Sequence, residues 1–138
     1  MPGASSTNER GKGFHSVIEN TKIEVVARQT ANFDRAEGLS VMENILQSQS
    51  EIDAVFAHND EMALGDLEAI KASDRDILVV GFDATKDAIA AIKAGDMTAT
   101  VQQLPKKIGS VSVETAVKVL RGEEVEEFVP VELELITQ

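Results

Sequence analysis

The 138-residue sequence has no cysteine, tryptophan or tyrosine, and only 2 histidines, 3 prolines and 5 phenylalanines. Without cysteine there is no disulfide, no thiolate metal ligand and no cysteine nucleophile, although the redox compartment stays open. His15 and His58 are far apart and lack ligand-like spacing, which argues against a histidine-rich metal site. Basic residues are also scarce: 13 Lys and Arg stand against 24 Asp and Glu, a formal net charge of -11. A chain that acidic repels phosphate backbones, and no basic cluster interrupts it, so nucleic acid is not an expected partner. No apolar run approaches the roughly 18 residues of a membrane span. The opening MPGASSTNERGKG has no apolar core of the kind a signal peptide carries. G-x-S-x-G, G-x-G-x-x-G and Walker A patterns are missing too, and Gly11-Lys12-Gly13 follows a helix start, not a strand. Carboxylates are plentiful, but no pair is singled out as acid and base. The expectation is a protein that is not an enzyme and takes no cofactor or metal.

With 43% hydrophobic and 27% charged residues, the chain reads as one globular domain large enough for its own core. Short apolar runs alternate with helical patterns. Ser6-x-x-Glu9 is a capping box before a helix with Phe14, Val17 and Ile18 on one face. Residues 23–27 (IEVVA) read as a strand, and Asp34 opens a helix with Ala36, Leu39, Met42, Ile45 and Leu46 at amphipathic spacing. Residues 54–57 are the next strand, followed by a helix from about Asp60. Residues 77–82 form a continuous apolar run, as in a strand covered on both faces. A helix over 86–94 stops at Gly95, a strand covers 98–102, and Pro105 suits the first turn of a helix ending near Gly122. The tail FVPVELELITQ reads as a half-exposed strand, pushed to an edge by Pro130. The alternation predicts an α/β fold: a Rossmann-like or flavodoxin-like parallel sheet flanked by helices.

In such sheets ligands bind at the carboxyl ends of the strands. The expected strands run out into Phe33-Asp34, Asn59-Asp60, Phe82-Asp83 and Gln102-Gln103, each an aromatic, an amide, a carboxylate or a mixture. Planar carboxylates and amides engage adjacent sugar hydroxyls in bidentate fashion, while aromatic rings cover C–H faces. Plainer readings stand beside this one. Asp34, Asn59, Asp60 and Asp83 could each simply cap a helix, and Phe33 and Phe82 could be core. The joint pattern supports a site for a polar small molecule.

NERGKGF, ANFDRAEGL, FAHNDEMALG, the stretch LVVGFDATKDAIAAIKAGDMTATVQQLPKKIG and the tail PVELELITQ together resemble the ribose-binding proteins of bacterial ABC transporters. The resemblance covers nearly the whole chain. It implies that Arg10, Phe33, Asn59, Asp83 and Gln103 contact the sugar, through a forked cation, a ring platform, an amide, a carboxylate and a hinge amide respectively. On that reading Asn59 serves the sugar and Asp60 caps the following helix, while His58 replaces a glutamine common in relatives.

The same resemblance implies one lobe of a two-lobed type I periplasmic binding protein, lacking its first strand. Residues 1–103 correspond to the second, C-terminal lobe, 104–128 to a helix that belongs to the first lobe, and 129–138 to a returning tail strand. It further implies D-ribose or a related monosaccharide as ligand, and an ABC permease, with a chemoreceptor in some relatives, as partners. The intact protein would be extracytoplasmic, periplasmic or a cell-surface lipoprotein. A rearranged sheet, or a homodimer with exchanged elements, is expected to compensate for the missing strand. The competing reading is the effector-binding domain of a lac-repressor-like transcription regulator.

Overall fold

The computed structural model describes Gly3 and residues 5–138. Three parallel strands, β1 (Ala54–Phe56), β2 (Leu78–Phe82) and β3 (Ala99–Gln102), lie side by side, and β4 (Glu134–Ile136) runs antiparallel along β3. Val55 faces Val79, Gly81 faces Thr100, and Val101 faces Leu135. The helices are α1 (Ser5–Ile18), α2 (Arg35–Ser48), α3 (Asp60–Ala72), α4 (Lys86–Ala94) and α5 (Pro105–Leu120).

Local chemistry sets most boundaries. Asp34 accepts a hydrogen bond from the Glu37 amide to cap α2, and Thr85 accepts one from the Ala88 amide to cap α4. Gly95 ends α4 in the left-handed region at φ 84°, which glycine adopts without steric cost. Helix α1 begins at Ser5, one residue ahead of the expected cap at Ser6, and the preceding residue lies outside the described ones.

The core joins Met42 of α2, Ala63, Leu67, Ala69 and Ile70 of α3, Val79 of β2, Ala88 and Ile92 of α4, and Met97. Burying such side chains contributes roughly 1.5–3 kcal/mol each for the larger ones. Helices α2 and α3 approach closely because glycines face across the contact. A Cβ on Gly65 would overlap the Arg35 carbonyl, and one on Gly38 would press on the Met62 backbone.

Two expectations are corrected. Residues 23–27 form no strand; they are irregular, with Ile23, Val25 and Val26 exposed. A strand exists only through hydrogen bonds to a neighbour about 4.8 Å away, and among the described residues none lies beside this segment. The sheet is also not rearranged: its strands keep chain order, and the outer edge of β1 stays unpaired among the described residues. Helix α5 likewise buries none of its residues, so Val113, Val119 and Leu120 face outward.

Candidate functional site

The carboxyl ends of β1, β2 and β3 deliver Asn59, Asp83 and Gln103 to one end of the sheet. The Gln103 side-chain amide donates to Asp83 Oδ1 at 2.7 Å. Arg10 reaches the same oxygen from α1, its Nη2 at 4.0 Å, while its Nη1 donates to the His58 carbonyl at 2.5 Å. The guanidinium lies over the Phe82 ring, Cζ 3.7 Å from the centroid, so a ring that is itself buried becomes a cation–π platform. Phe14 of α1 stacks on Phe56 at 5.4 Å and holds the helix against the end of β1.

Asn59 closes the other side. Its Oδ1 accepts from the Met62 amide at 3.0 Å, capping α3, and its Nδ2 donates to the Phe33 carbonyl at 3.3 Å. Asn32 and Phe33 hold φ of 45° and 64°, a conformation that non-glycine residues adopt at a cost. The Asn59 amide, by holding the Phe33 carbonyl, fixes this strained turn, and the Phe33 side chain is half-buried there. The side chains of Arg10, Asp83 and Gln103 are thus joined directly, while Asn59 meets Phe33 through the Phe33 backbone carbonyl and adjoins His58, whose carbonyl holds Arg10.

Asp60 departs from expectation. Asn59, extended at φ -156° and ψ 167°, occupies the cap position, and Asp60 is the first helical residue with its side chain turned inward. Fully buried, Asp60 accepts from the Thr100 hydroxyl at 2.6 Å through Oδ1 and from the Thr85 amide at 2.7 Å through Oδ2. Gly81 makes room for that carboxylate, since a Cβ there would collide with it. Asp60 therefore ties β3 to the start of α4 and fixes the turn that carries Asp83. Sequence reasoning missed Asp60 and Thr100 as partners; the one available signal was a threonine facing inward within TATVQ.

Burial lowers the pKa of Arg10, with Asp83 opposing the shift. Burial also lowers that of His58, and the charges of Arg10 and Arg28 lower it further. The arrangement offers a fixed cation, a carboxylate whose Oδ2 accepts no hydrogen bond among the described residues, and two side-chain amides. Such groups exchange hydrogen bonds with a polyhydroxyl ligand.

A family model described as a periplasmic binding protein domain matches residues 1–124. The chain belongs to that family. It is 54% identical over 138 residues to the ribose import binding protein of Bacillus subtilis (strain 168), covering 100% of this chain and 45% of that protein. Among solved structures, an ABC transporter solute-binding protein from Bacillus halodurans C-125 with bound myo-inositol superposes with a TM-score of 0.85 at 44% identity, over 99% of this chain and 48% of that one. A periplasmic solute-binding protein from Actinobacillus succinogenes 130z with bound D-allose gives 0.88 at 32% identity, over 99% and 50%. The chain therefore spans about half the length of the periplasmic binding proteins it matches, and its fold is that of one of their lobes.

Proposed function

We propose that this chain supplies one lobe of the sugar-binding component of an ABC importer, and that Arg10, Phe33, Asn59, Asp83 and Gln103 form its half of a monosaccharide site. The observation that carries the reading is the convergence of Arg10 of α1 and Gln103, 93 positions apart in the sequence, on the Asp83 carboxylate at the strand ends. In the unliganded array Gln103 and Arg10 hold the Asp83 carboxylate in place. A sugar would meet the open Oδ2 with one hydroxyl, draw donors from Arg10 and Gln103, and lay a C–H face on Phe33. The ligand class is D-ribose or a related monosaccharide, and the chemistry is binding with no bond made or broken. Support comes from relatives that are, by name, import binding proteins, and from sugar and inositol ligands in the matching structures. Nothing found favours the transcription-regulator reading.

Within the whole protein, a second lobe would close over the sugar, and residues 104–128 would pack on that lobe, which accounts for the uncovered apolar face of α5. An ABC permease would be the partner, with a chemoreceptor as a further one, in an extracytoplasmic compartment. One lobe alone leaves the ligand wet, so its hydrogen bonds compete with water and the expected Kd is on the order of millimolar. The test is an amide NMR titration of the labelled chain with D-ribose, with D-glucose as control. Ribose-specific shifts at Asn59, Asp83 and Gln103, lost in Asp83→Ala, are expected. Shifts that persist in Asp83→Ala would overturn the assignment.

A further inference from the structure

We propose that Asp60 and Thr100 are positioning residues of the site: the pair keeps Asp83 in a backbone conformation that aims its carboxylate at Gln103 and Arg10. The consequence for ligand binding rests on the monosaccharide-site reading; the positioning itself does not. Four of the five non-glycine residues with positive φ among the described residues lie in two turns at this end of the sheet, Asn32–Phe33 and Asp83–Ala84. The second turn is the more costly. Asp83 stands at φ 120° and Ala84 at 56°. The first value lies well outside the small left-handed region, at about 50–70°, that is open to residues with a Cβ. Two such residues in succession persist only where the surrounding structure over-determines them.

The surroundings do so through three consecutive backbone amides. That of Asp83 donates to the Val101 carbonyl at 2.9 Å, so the turn leaves directly from the β2–β3 pairing. The Ala84 amide donates to Thr100 Oγ1 at 3.3 Å, and the Thr85 amide donates to Asp60 Oδ2 at 2.7 Å. Thr100 gives its own proton to Asp60 Oδ1 at 2.6 Å, which leaves its oxygen free to accept from Ala84. Asp60 and Thr100 are both fully buried, so water does not compete for these bonds. A buried carboxylate met only by neutral donors is a poor source of stability, which leaves the fixed turn as its use. The carboxylate so aimed receives Gln103 at 2.7 Å and lies 4.0 Å from Arg10. Relaxation of Asp83 to extended backbone would redirect its Cα–Cβ bond and break both contacts. The start of α3 thus serves the whole site. The His58 carbonyl accepts from Arg10, Asn59 holds the Phe33 carbonyl, and Asp60 secures the Asp83 turn.

NMR on the isotope-labelled 138-residue chain tests this. Thr100→Val keeps the side-chain shape and removes the hydroxyl, whereas Thr100→Ser keeps the hydroxyl. Met42→Ala is the control, a cavity in α2 that lowers Tm without touching the turn. Two signals need no ligand. The amide–Hα coupling of Asp83 is small at φ 120° and large in extended backbone, and the Gln103 side-chain amide protons are shifted by their bond to Asp83. Both should change in Thr100→Val and in Asp60→Ala, return in Thr100→Ser, and keep wild-type values in Met42→Ala. Wild-type signals in a folded Thr100→Val overturn the proposal, and so does an equal change in Met42→Ala. Ala84→Gly removes no buried hydrogen bond and so decides even if the other variants do not fold. Glycine suits φ 56°, and Tm should rise by a few degrees; an unchanged or lower Tm means a turn without strain and overturns the proposal. In a D-ribose titration Thr100→Val should weaken binding about tenfold and Thr100→Ser by no more than a few-fold. Undiminished D-ribose affinity in Thr100→Val, with both signals lost, would overturn the role in binding. A wild type that shows both signals and ignores D-ribose would overturn the sugar reading and uphold the positioning.

Discussion

Asp60 and Asp66 lie in the same helix, both shielded from water, and differ in what surrounds the carboxylate. Asp60 has two donors and holds the Asp83 turn; Asp60→Ala removes both acceptors, leaving the Thr85 amide without its partner and the buried Thr100 hydroxyl, which still accepts from the Ala84 amide, with no acceptor for its own proton. A loss of about 2–3 kcal/mol in denaturant unfolding is expected. Asp66 is 8% exposed, forms no side-chain hydrogen bond among the described residues, and is pushed up to about 7 by burial from a usual 3.8. Its folded-state pKa lies above the unfolded value, so between pH 4 and 7 the folded state binds more protons and stability falls as pH rises. At about 1.4 kcal/mol per pKa unit, the loss is on the order of 4 kcal/mol by neutral pH. Asp66→Asn should therefore raise Tm by several degrees at pH 7.5 and leave it nearly unchanged at pH 4. Equal Tm values for the two proteins at pH 7.5 would contradict the burial argument.

Among the elements, those with local start and stop chemistry were legible in the sequence. Asp34, Gly95 and Pro105 lie at the boundaries expected of them, because a cap is decided within one helical turn. Residues 23–27 were not legible as irregular chain, since IEVVA has every intrinsic mark of a strand and lacks only a neighbour. Distant pairings were hidden for the same reason: Asp60 with Thr100, and Arg10 with Phe82, depend on sheet register and on where α1 lies. The strand-end habit pointed to Asn59, Asp83 and Gln103, whereas Arg10 came only from family resemblance, because nothing local marks a helix arginine as facing a site. Closeness of α2 and α3 rests on Gly38 and Gly65, so Gly65→Ala should cost about 1–3 kcal/mol through overpacking. Helix α5, uncovered in the single chain, should lose its amide protection to hydrogen exchange well before α3 does; equal protection would mean that α5 has found a partner surface.

At the scale of the whole molecule, this chain has a well-packed α/β core, an organised polar face and, among the described residues, two features without partners: the apolar side of α5 and the outer edge of β1. All three fit one lobe of a clamp. The central claim is that the polar face is half of a sugar site completed by another lobe. Its most direct test joins this chain to the portion of the Bacillus subtilis ribose import binding protein that it does not match, and measures D-ribose affinity by calorimetry beside the 138-residue chain. The account predicts a gain of at least a hundredfold in the joined protein, abolished by Asp83→Ala. A joined protein that folds and binds D-ribose no better than this chain alone would contradict it.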